Sequence, residues 1–453
     1  MAEKLWGGRF NKKTHTLVDE FTNSIHFDYK LAAYDCLGSL IHIDILKKAK
    51  LLTPKEHAKL KKALKAILSS IDNGSFFKDM DSTCEDIHSA IQSLTEKKAK
   101  EAALKLHTCR SRNDQVVFDT KLYCLENCVE TLELLIVLDK ALNELAKKNK
   151  NIIMPGYTHM QHAIPISLYN YLHAYHMMLS RDEAKLLQIF QSIDLTMGSG
   201  ALAGTFIPSS CYTQDLKPLL GAKVSIQASE NAIDTVSSRD FIIDILSALS
   251  VIGLHLSRLA EDLILWSTKE FDFIDIDDAF CTGSSLMPNK KNPDVLELIR
   301  GNTGKLYGHL ISVLVMMKGL PLSYNRDMQL DKEPLFESFE IVQQELEVCA
   351  ELLKNVKFNQ ENIAKQLDDE SLYATDLADY LVQHGIPFKE AHVIIGRLIK
   401  HKCKGKKEIQ LRDMTNAELK KFHPLLSAQI VRTIMNPVYS VNSKKSIRKR
   451  KKK

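Results

Sequence analysis

Apolar residues recur every three or four positions along most of this 453-residue chain. In an α-helix, positions three and four apart lie on the same face, so this spacing is typical of helices that pack against a core. Leu, Ile, Ala, Lys and Glu dominate the composition, whereas glycine and proline account for only 18 and 12 residues. Because those two residues break helices, the sequence predicts an all-α fold with few interruptions.

Five stretches keep the helical pattern over more than 20 residues and are bounded by capping or helix-breaking residues. They predict a central bundle of very long helices, formed by residues 114–148, 165–193, 241–266, 293–317 and 335–366. The stretch 241–266 is apolar on nearly every face, as a buried helix would be. We therefore expect an N-terminal helical domain over 1–110, the long-helix bundle over 111–366, and a small C-terminal helical domain with a basic tail over 367–453.

The composition is that of a soluble globular protein, with 45% hydrophobic and 26% charged residues. The first ten residues lack the apolar core of an export signal, and no span of membrane length is unbroken by polar residues. Nine scattered cysteines without a CxxC pair argue against a disulfide framework and against structural zinc. We expect a cytoplasmic protein with reduced thiols, no membrane contact, no metal and no organic cofactor.

The net charge of +5 is set by the end of the chain, since residues 444–453 carry eight basic groups and no acid. Without them, 53 basic groups face 56 acidic ones, a balance of −3. The tail could make weak contact with a polyanion. Because no aromatic residues interleave the charges, a solvated end without nucleic-acid binding is the favoured interpretation.

Three polar segments interrupt the helical pattern, each just ahead of a long apolar helix, at 107–115, 156–162 and 282–293. In the first, Ser111 or Asn113 can cap the following helix, and Arg110 and Arg112 are suited to carboxylates. In the third, Asn292 before a proline predicts a helix start, where backbone N–H groups attract anions. These segments are the candidates for chemistry.

The first two segments lie at opposite ends of the predicted helix 114–148. A helix of that length spans roughly 50 Å, so one subunit cannot easily bring both segments to one substrate. If both are catalytic, the site must be assembled between subunits whose helices pack antiparallel. The alternative is that one segment is merely a structural cap, since polar caps at helix starts are common.

The segment Gly283-Ser-Ser-Leu-Met-Pro-Asn-Lys-Lys-Asn-Pro293 resembles the signature of the fumarase/aspartase superfamily. Further segments resemble the argininosuccinate lyases within it, namely 6–10, 85–88, 110–115, 156–161, 198–205, 324–334 and 374–381. The resemblance implies a homotetramer with a twenty-helix core and active sites built from three subunits. It also implies the reversible elimination of argininosuccinate to arginine and fumarate. Two alternatives are another fumarate-releasing lyase, acting on aspartate or adenylosuccinate, and a catalytically silent, crystallin-like homologue.

The resemblance also implies roles for individual residues. Ser284 would take the proton from the succinyl carbon, and His159, steadied by Glu297, would assist proton transfer to the leaving nitrogen. Lys290 and Asn292 would bind the carboxylate beside the acidic carbon. The rest of the substrate would be held by Ser24, Arg112, Asn113, Thr158, Tyr324, Gln329 and Lys332.

The chemistry requires such residue types. Removing a carbon-bound proton beside a carboxylate builds negative charge, which calls for preorganised cations and amide donors. Serine becomes a useful base only when nearby donors stabilise its alkoxide, and a leaving nitrogen needs a donor that titrates near neutral pH, which suits histidine. Ser285 could compete with Ser284, whereas His162 and His88 are secondary candidates.

Four positions depart from the pattern of the family: Cys109 stands where glycine is usual, Asn289 where glutamine is often found, His162 where arginine is frequent, and Leu330 where many relatives carry an acid. A side chain at position 109 is expected to crowd the arginine turn, since glycine tolerates backbone conformations that other residues do not. Leu330 is expected to alter contacts to the arginine end of the substrate.

Overall fold

A computed structural model describes residues 14–80, 83–216, 224–402 and 410–446. The motif at 6–10, Cys403 and the end of the basic tail, 447–453, lie outside the described residues. The eight cysteines within them are free thiols, as the sequence predicts.

The described chain is mostly helical, which confirms the prediction of fold class. The helices in chain order are α1 Thr16–Thr22, α2 Ile25–Asp28, α3 Ala32–Lys48, α4 Pro54–Asp72, α5 Phe76–Asp79, α6 Ile87–Ala99, α7 Arg112–Lys148, α8 Leu168–Ser192, α9 Ala232–Ser237, α10 Asp240–Ser267, α11 Asp294–Met317, α12 Lys332–Lys354, α13 Gln360–Gln366, α14 Ala374–Gln383, α15 Phe388–Lys402, α16 Asn416–Lys420, α17 Ala428–Ile434 and α18 Pro437–Ser443. The five predicted long helices correspond to α7, α8, α10, α11 and α12.

Within the described residues, seven short strands accompany the helices, and the sequence pattern did not predict them. They are β1 Ile153–Thr158, β2 Gln161–Ser167, β3 Leu195–Met197, β4 Gln214–Asp215, β5 Ser225–Ala228, β6 Ile274–Ile276 and β7 Val356–Phe358. β1 and β2 form an antiparallel hairpin, β5 pairs with both β3 and β4, and β6 pairs antiparallel with β7. Along the chain, these strands lie between helices.

Two predicted helix boundaries are wrong because residues predicted to be helical pair as strands instead. α8 begins at Leu168 rather than at 165, because residues 161–167 pair with β1. α12 ends at Lys354 rather than at 366, because residues 356–358 pair with β6. Asn359 then starts α13 by accepting a hydrogen bond from the backbone N–H of Asn362, at 3.3 Å.

The chain divides into two compact units. Unit 1 comprises Met1–Leu135, Arg181–Leu254 and Gly301–Glu345, and unit 2 comprises Ile136–Ser180, His255–Arg300 and Leu346–Lys453. Unit 2 contains a continuous apolar cluster built from residues between 367 and 435, with Leu372, Leu377 and Leu426 fully buried. That cluster supports the C-terminal part of the three-domain division, which we retain as a proposal.

Helix α10 is long and apolar enough to cross a membrane, with a mean hydropathy of 1.6 over its most apolar stretch. However, 56% of that stretch is buried within the protein. Ile242, Ile245 and Leu249 are fully buried, as the apolar pattern on nearly every face predicts. The helix therefore has the burial of a core helix in a globular protein.

Candidate active site

The predicted site residues fall into two groups, one in each unit. In unit 1, they gather around the segment 85–88, which leads into α6. The backbone N–H of Ser24 donates to the carbonyl of Glu85 at 2.9 Å, and the Ser24 hydroxyl donates to Asp28 at 2.6 Å. Asp28 in turn accepts from the backbone N–H of Ile87 at 3.0 Å. Ser24 is therefore fixed, nearly fully buried, beside the start of α6.

Arg112 is the first residue of α7, and its guanidinium reaches the same segment. It donates to Gln115 at 3.0 Å and to Ser89 at 3.2 Å, and it lies 3.6 Å from the carboxylate of Asp86. Burial alone would raise the pKa of Asp86, but the positive charge of Arg112 lowers it below its usual value. The Arg112 side chain is 27% exposed, so the guanidinium remains available to a carboxylate.

A buried ionic network underlies Arg112. His88 Nδ1 lies 2.5 Å from Asp35 and 3.5 Å from Asp119, and Gln115, which binds Arg112, donates to Asp35 at 2.8 Å. Burial alone would lower the pKa of His88 and raise that of Asp35. The hydrogen bond between them acts in the opposite direction, so the pKa of His88 is raised and that of Asp35 is lowered. Donor atoms of Asp35, His88 and Asp119 lie within 4.8 Å of one another, as metal ligands would. We interpret His88 and Asp35 as a hydrogen-bonded ion pair, because two separate ligands of one metal ion, bound at about 2.0–2.2 Å, lie about 3 Å apart. The 2.5 Å between His88 Nδ1 and Asp35 is a hydrogen-bond distance.

Lys332 is held by a second buried carboxylate. Lys332 donates to Asp331 at 2.8 Å, and Arg239 donates to the other oxygen of Asp331 at 2.5 Å. All three side chains are nearly fully buried. Although burial favours the neutral acid, the two cations keep the pKa of Asp331 below its usual value. Asp331 thus fixes Lys332 at the first turn of α12.

Tyr324 and Gln329 belong to the same region. Burial raises the pKa of Tyr324, whose charged neighbours include Asp331 and Asp86. Gln329 donates to the carbonyl of Thr22 at 3.3 Å, two residues before Ser24. The structure therefore brings Ser24, Arg112, Tyr324, Gln329 and Lys332 into one neighbourhood of unit 1.

Asn113 makes a different contact, with the glycine-rich segment 198–204. Its side-chain amide donates to the carbonyl of Ala201 at 3.3 Å, and Asp114 accepts from the backbone N–H of Gly200 at 2.9 Å. Just before this helix start, Cys109 has φ +58°, in the left-handed region that favours glycine. The backbone thus explains why glycine suits position 109, and the cysteine there is strained.

In unit 2, His159 lies at the tip of the β1–β2 hairpin. Thr158 pairs with Gln161, so the loop consists of His159 and Met160 alone. Both have positive φ, +55° and +59°, as in a type I′ turn, which normally selects asparagine and glycine. For residues with a side chain this conformation costs about 1–2 kcal/mol each. His159 and Thr158 are exposed on a strained turn, and such strain is often found at functional sites.

The loop with the superfamily signature is closed at its base by two backbone hydrogen bonds. Thr282 donates to the carbonyl of Asn292 at 3.0 Å, and Asn292 donates to the carbonyl of Thr282 at 2.8 Å. Within the loop, Ser284 Oγ accepts from the backbone N–H groups of Met287 at 3.0 Å and Leu286 at 3.3 Å. Two donors therefore converge on the hydroxyl that the resemblance implies as the base.

Lys290 and Glu297 lie on either side of the start of α11. Lys290 is exposed, whereas its neighbour Lys291 forms ion pairs with Asp275 at 3.0 Å and Asp278 at 2.7 Å. Glu297 lies in the first turn of α11, 4.0 Å from Arg300. None of the described hydrogen bonds or ion pairs in unit 2 joins the hairpin tip to this loop or to Glu297. The pairing of His159 with Glu297 stays a prediction.

Sequence reasoning missed the acids that hold the predicted residues in place. Asp35 beneath Arg112, Asp331 beside Lys332 and Arg239, and Asp369 against His162 were not candidates. Each of these acids has a basic partner at least 50 positions away in sequence, and Asp331 also pairs with its neighbour Lys332. No local pattern reveals the remote pairs. The one available signal was indirect, because an aspartate on the buried face of a helix usually has a charged or hydrogen-bonding partner.

Comparisons with known proteins agree with the geometry. A family model described as lyase matches residues 8–308, and one described as argininosuccinate lyase C-terminal matches residues 371–442. The chain is 45% identical to argininosuccinate lyase from Syntrophus aciditrophicus, over 98% of this chain and 92% of the relative. It is 44% identical to the same enzyme from Caldanaerobacter subterraneus, over 95% of this chain and 96% of the relative.

Solved structures show the same fold at lower identity. An EDDS lyase variant with bound fumarate has a TM-score of 0.76 at 21% identity, covering 94% of this chain and 84% of its own. Class II fumarase from Schistosoma mansoni has a TM-score of 0.75 at 17% identity, covering 90% of each chain. With whole-length identity above 40% and both family models matched, the chain belongs to the argininosuccinate lyase family of the fumarase/aspartase superfamily.

Proposed function

We propose that this protein is a carbon-nitrogen lyase of the cytoplasm that cleaves argininosuccinate reversibly to L-arginine and fumarate, in arginine biosynthesis. The observation that carries the proposal is the 45% identity over 98% of the chain to an argininosuccinate lyase. The free thiols of the described cysteines suit a reducing compartment.

Ser284 is the proposed base. A serine alkoxide is strongly basic and needs stabilisation, and hydrogen bonds to the charged form lower the pKa of a group. The N–H groups of Leu286 and Met287 already donate to Ser284 Oγ and would serve an alkoxide in the same way. Once the loop is covered and water is excluded, these two donors would stabilise the alkoxide far more effectively than in water.

His159 is the proposed proton donor to the leaving guanidinium nitrogen, with Glu297 as its partner. Lys290 and Asn292 would hold the carboxylate on which charge builds during proton abstraction. Ser24, Arg112, Asn113, Thr158, Tyr324, Gln329 and Lys332 would bind the rest of the substrate. Arg112 is well suited to a carboxylate, since it is partly exposed and held in place by Gln115 and Ser89.

The proposed site is assembled from several subunits of a homotetramer. α7 has 37 residues and is therefore about 54 Å long, with the arginine segment before it and the His159 hairpin after it. α11 also carries exposed apolar residues at helical spacing, Tyr307, Ile311, Leu314 and Val315. A face of this kind suits burial against other long helices, and further copies of this chain would supply those helices.

The test is the ultraviolet absorbance of fumarate released by the purified protein from argininosuccinate. Aspartate and adenylosuccinate serve as rival substrates, and Ser284→Ala is compared with Ser285→Ala as the matched control. We expect fumarate from argininosuccinate alone, abolished by Ser284→Ala and largely retained by Ser285→Ala. Fumarate from a rival substrate would favour another lyase, and a folded tetramer that releases none would favour the silent homologue.

A further inference from the structure

The β1–β2 hairpin contains a chain of polar contacts behind the turn that carries His159. Tyr157 Oη lies 3.0 Å from His162 Nε2, and His162 Nδ1 lies 2.8 Å from Asp369. Because a carboxylate only accepts, His162 Nδ1 donates to Asp369, and with the proton on Nδ1 the Nε2 atom can accept a hydrogen bond from the Tyr157 hydroxyl. The rings of Tyr157 and His162 also pack together, with centroids 5.0 Å apart.

Tyr157 and His162 are the pair directly opposite each other in the two strands, immediately inside the Thr158–Gln161 pair. Their contact therefore spans the hairpin one step from its two-residue loop. The loop is in the left-handed conformation at both positions, which L residues adopt only when their surroundings impose it. A cross-strand contact at this point is well placed to impose it.

Asp369 connects the hairpin to the C-terminal part of unit 2. It accepts from the backbone N–H of Ser371 at 3.0 Å and from its hydroxyl at 2.7 Å, which fixes the carboxylate at the start of a short helical turn. The next residue, Glu370, is fully buried and accepts from the backbone N–H groups of Leu411 and Arg412 at 2.7 and 3.0 Å. The carboxylate that binds His162 is thus anchored to the apolar cluster between 367 and 435.

We propose that Tyr157, His162 and Asp369 form a positioning relay that holds the strained turn of His159 in the conformation used for catalysis. The proposal rests on the proposed function only through the role of His159. The three residues act through His159 rather than on the substrate, so they are positioning residues. Burial alone would raise the pKa of Asp369, but the hydrogen bonds from His162 and Ser371 lower it. This direction is consistent with a carboxylate that remains charged in this contact.

The experiment compares kcat and KM for Tyr157→Phe, His162→Leu and His162→Arg. The matched control is His176→Leu, because His176 Nδ1 lies 2.5 Å from Asp139 on the long helices of the same unit. We expect His162→Leu to lower kcat about 10- to 100-fold with KM within about twofold, because displacing a catalytic group is costly while the carboxylate ligands are untouched. Tyr157→Phe should lower kcat less, and His162→Arg should recover much of it, since a guanidinium can bind Asp369.

A second readout does not depend on activity. Hydrogen exchange of the amides at 158–161, followed by mass spectrometry on the intact oligomer, reports how firmly the turn is held. We expect faster exchange in His162→Leu and unchanged exchange in His176→Leu. Equal losses of kcat in these two variants, or unchanged exchange in His162→Leu, would overturn the relay. If the wild-type protein released no fumarate, the exchange data would still decide the relay, so its failure and the failure of the proposed function are distinguishable.

Discussion

Replacing Met160 by glycine is expected to stabilise the protein, although glycine usually weakens a hairpin. Met160 is the second residue of the two-residue turn and has φ +59°. The residue is 59% exposed, so little packing is lost when its side chain is removed. Glycine is the residue that a type I′ turn selects at this position.

The magnitude follows from two opposing terms. Relief of the left-handed conformation contributes about 1–2 kcal/mol. The greater freedom of glycine in the unfolded chain costs about 0.5–1 kcal/mol. The midpoints of these two ranges leave about 0.75 kcal/mol in favour of Met160→Gly. At Gln161, which lies in β2 and has ordinary φ, only the second term applies, so Gln161→Gly should destabilise by about 0.5–1 kcal/mol.

Hydrogen exchange of the β1–β2 amides measures this local free energy directly. Since 1.4 kcal/mol corresponds to a factor of ten, Met160→Gly should slow exchange about two- to fivefold. Gln161→Gly should accelerate it by a similar factor. The opposite signs at adjacent positions make the pair decisive. If Met160→Gly accelerates exchange as Gln161→Gly does, the turn is not strained at Met160 and the argument from positive φ is refuted.

Three further predictions concern strain and burial elsewhere. Asp331→Asn should cost about 3–5 kcal/mol in the free energy of unfolding, measured by denaturant titration, because it leaves the buried cations Arg239 and Lys332 without a carboxylate. Cys109→Gly should raise the melting temperature, since it removes about 1–2 kcal/mol of strain at φ +58° and glycine's entropy offsets only part of this. Burial raises the pKa of Glu345 from 4.5 to about 7, so the stability that it contributes below pH about 4.5 is lost as the pH rises through 7. The loss is on the order of 3 kcal/mol, and in denaturant titrations Glu345→Gln should show a stability advantage over wild type that widens from pH 5 to pH 8.

The long helices could be predicted from the sequence because their periodicity extends over many turns. The pattern over 241–266 corresponds to Asp240–Ser267, and that over 293–317 to Asp294–Met317. The same reasoning failed over 335–366. Apolar residues continue into this stretch as Val356 and Phe358, but pairing of β7 with β6, about 80 residues earlier in the chain, breaks the helix there. A tertiary contact of this kind overrides local preference and leaves no local signal.

The candidate site, like the fold, could be predicted from the sequence only in part. The proposed reacting groups are carried by sequence motifs and could be named through the family resemblance. Their supports could not, since the partners are remote in sequence: His88 and Asp35 are 53 positions apart, Arg239 and Asp331 92, and His162 and Asp369 207. A buried acid becomes informative only when the fold shows which cation it faces.

The two kinds of residue also differ in exposure, and this difference bears on how the proposed oligomer would work. Asp35 and Asp331 are nearly fully buried within unit 1, whereas His159 and Lys290 of unit 2 are exposed. Electrostatic catalysis needs donors that are already oriented and shielded from water. In the proposed site, each chain would supply the orientation itself, through its buried acids and the His162 contact behind the turn. The shielding of His159 and Lys290 must then come from elsewhere, and in the proposed tetramer it would come from neighbouring copies, so dissociation should abolish catalysis while leaving these internal contacts intact.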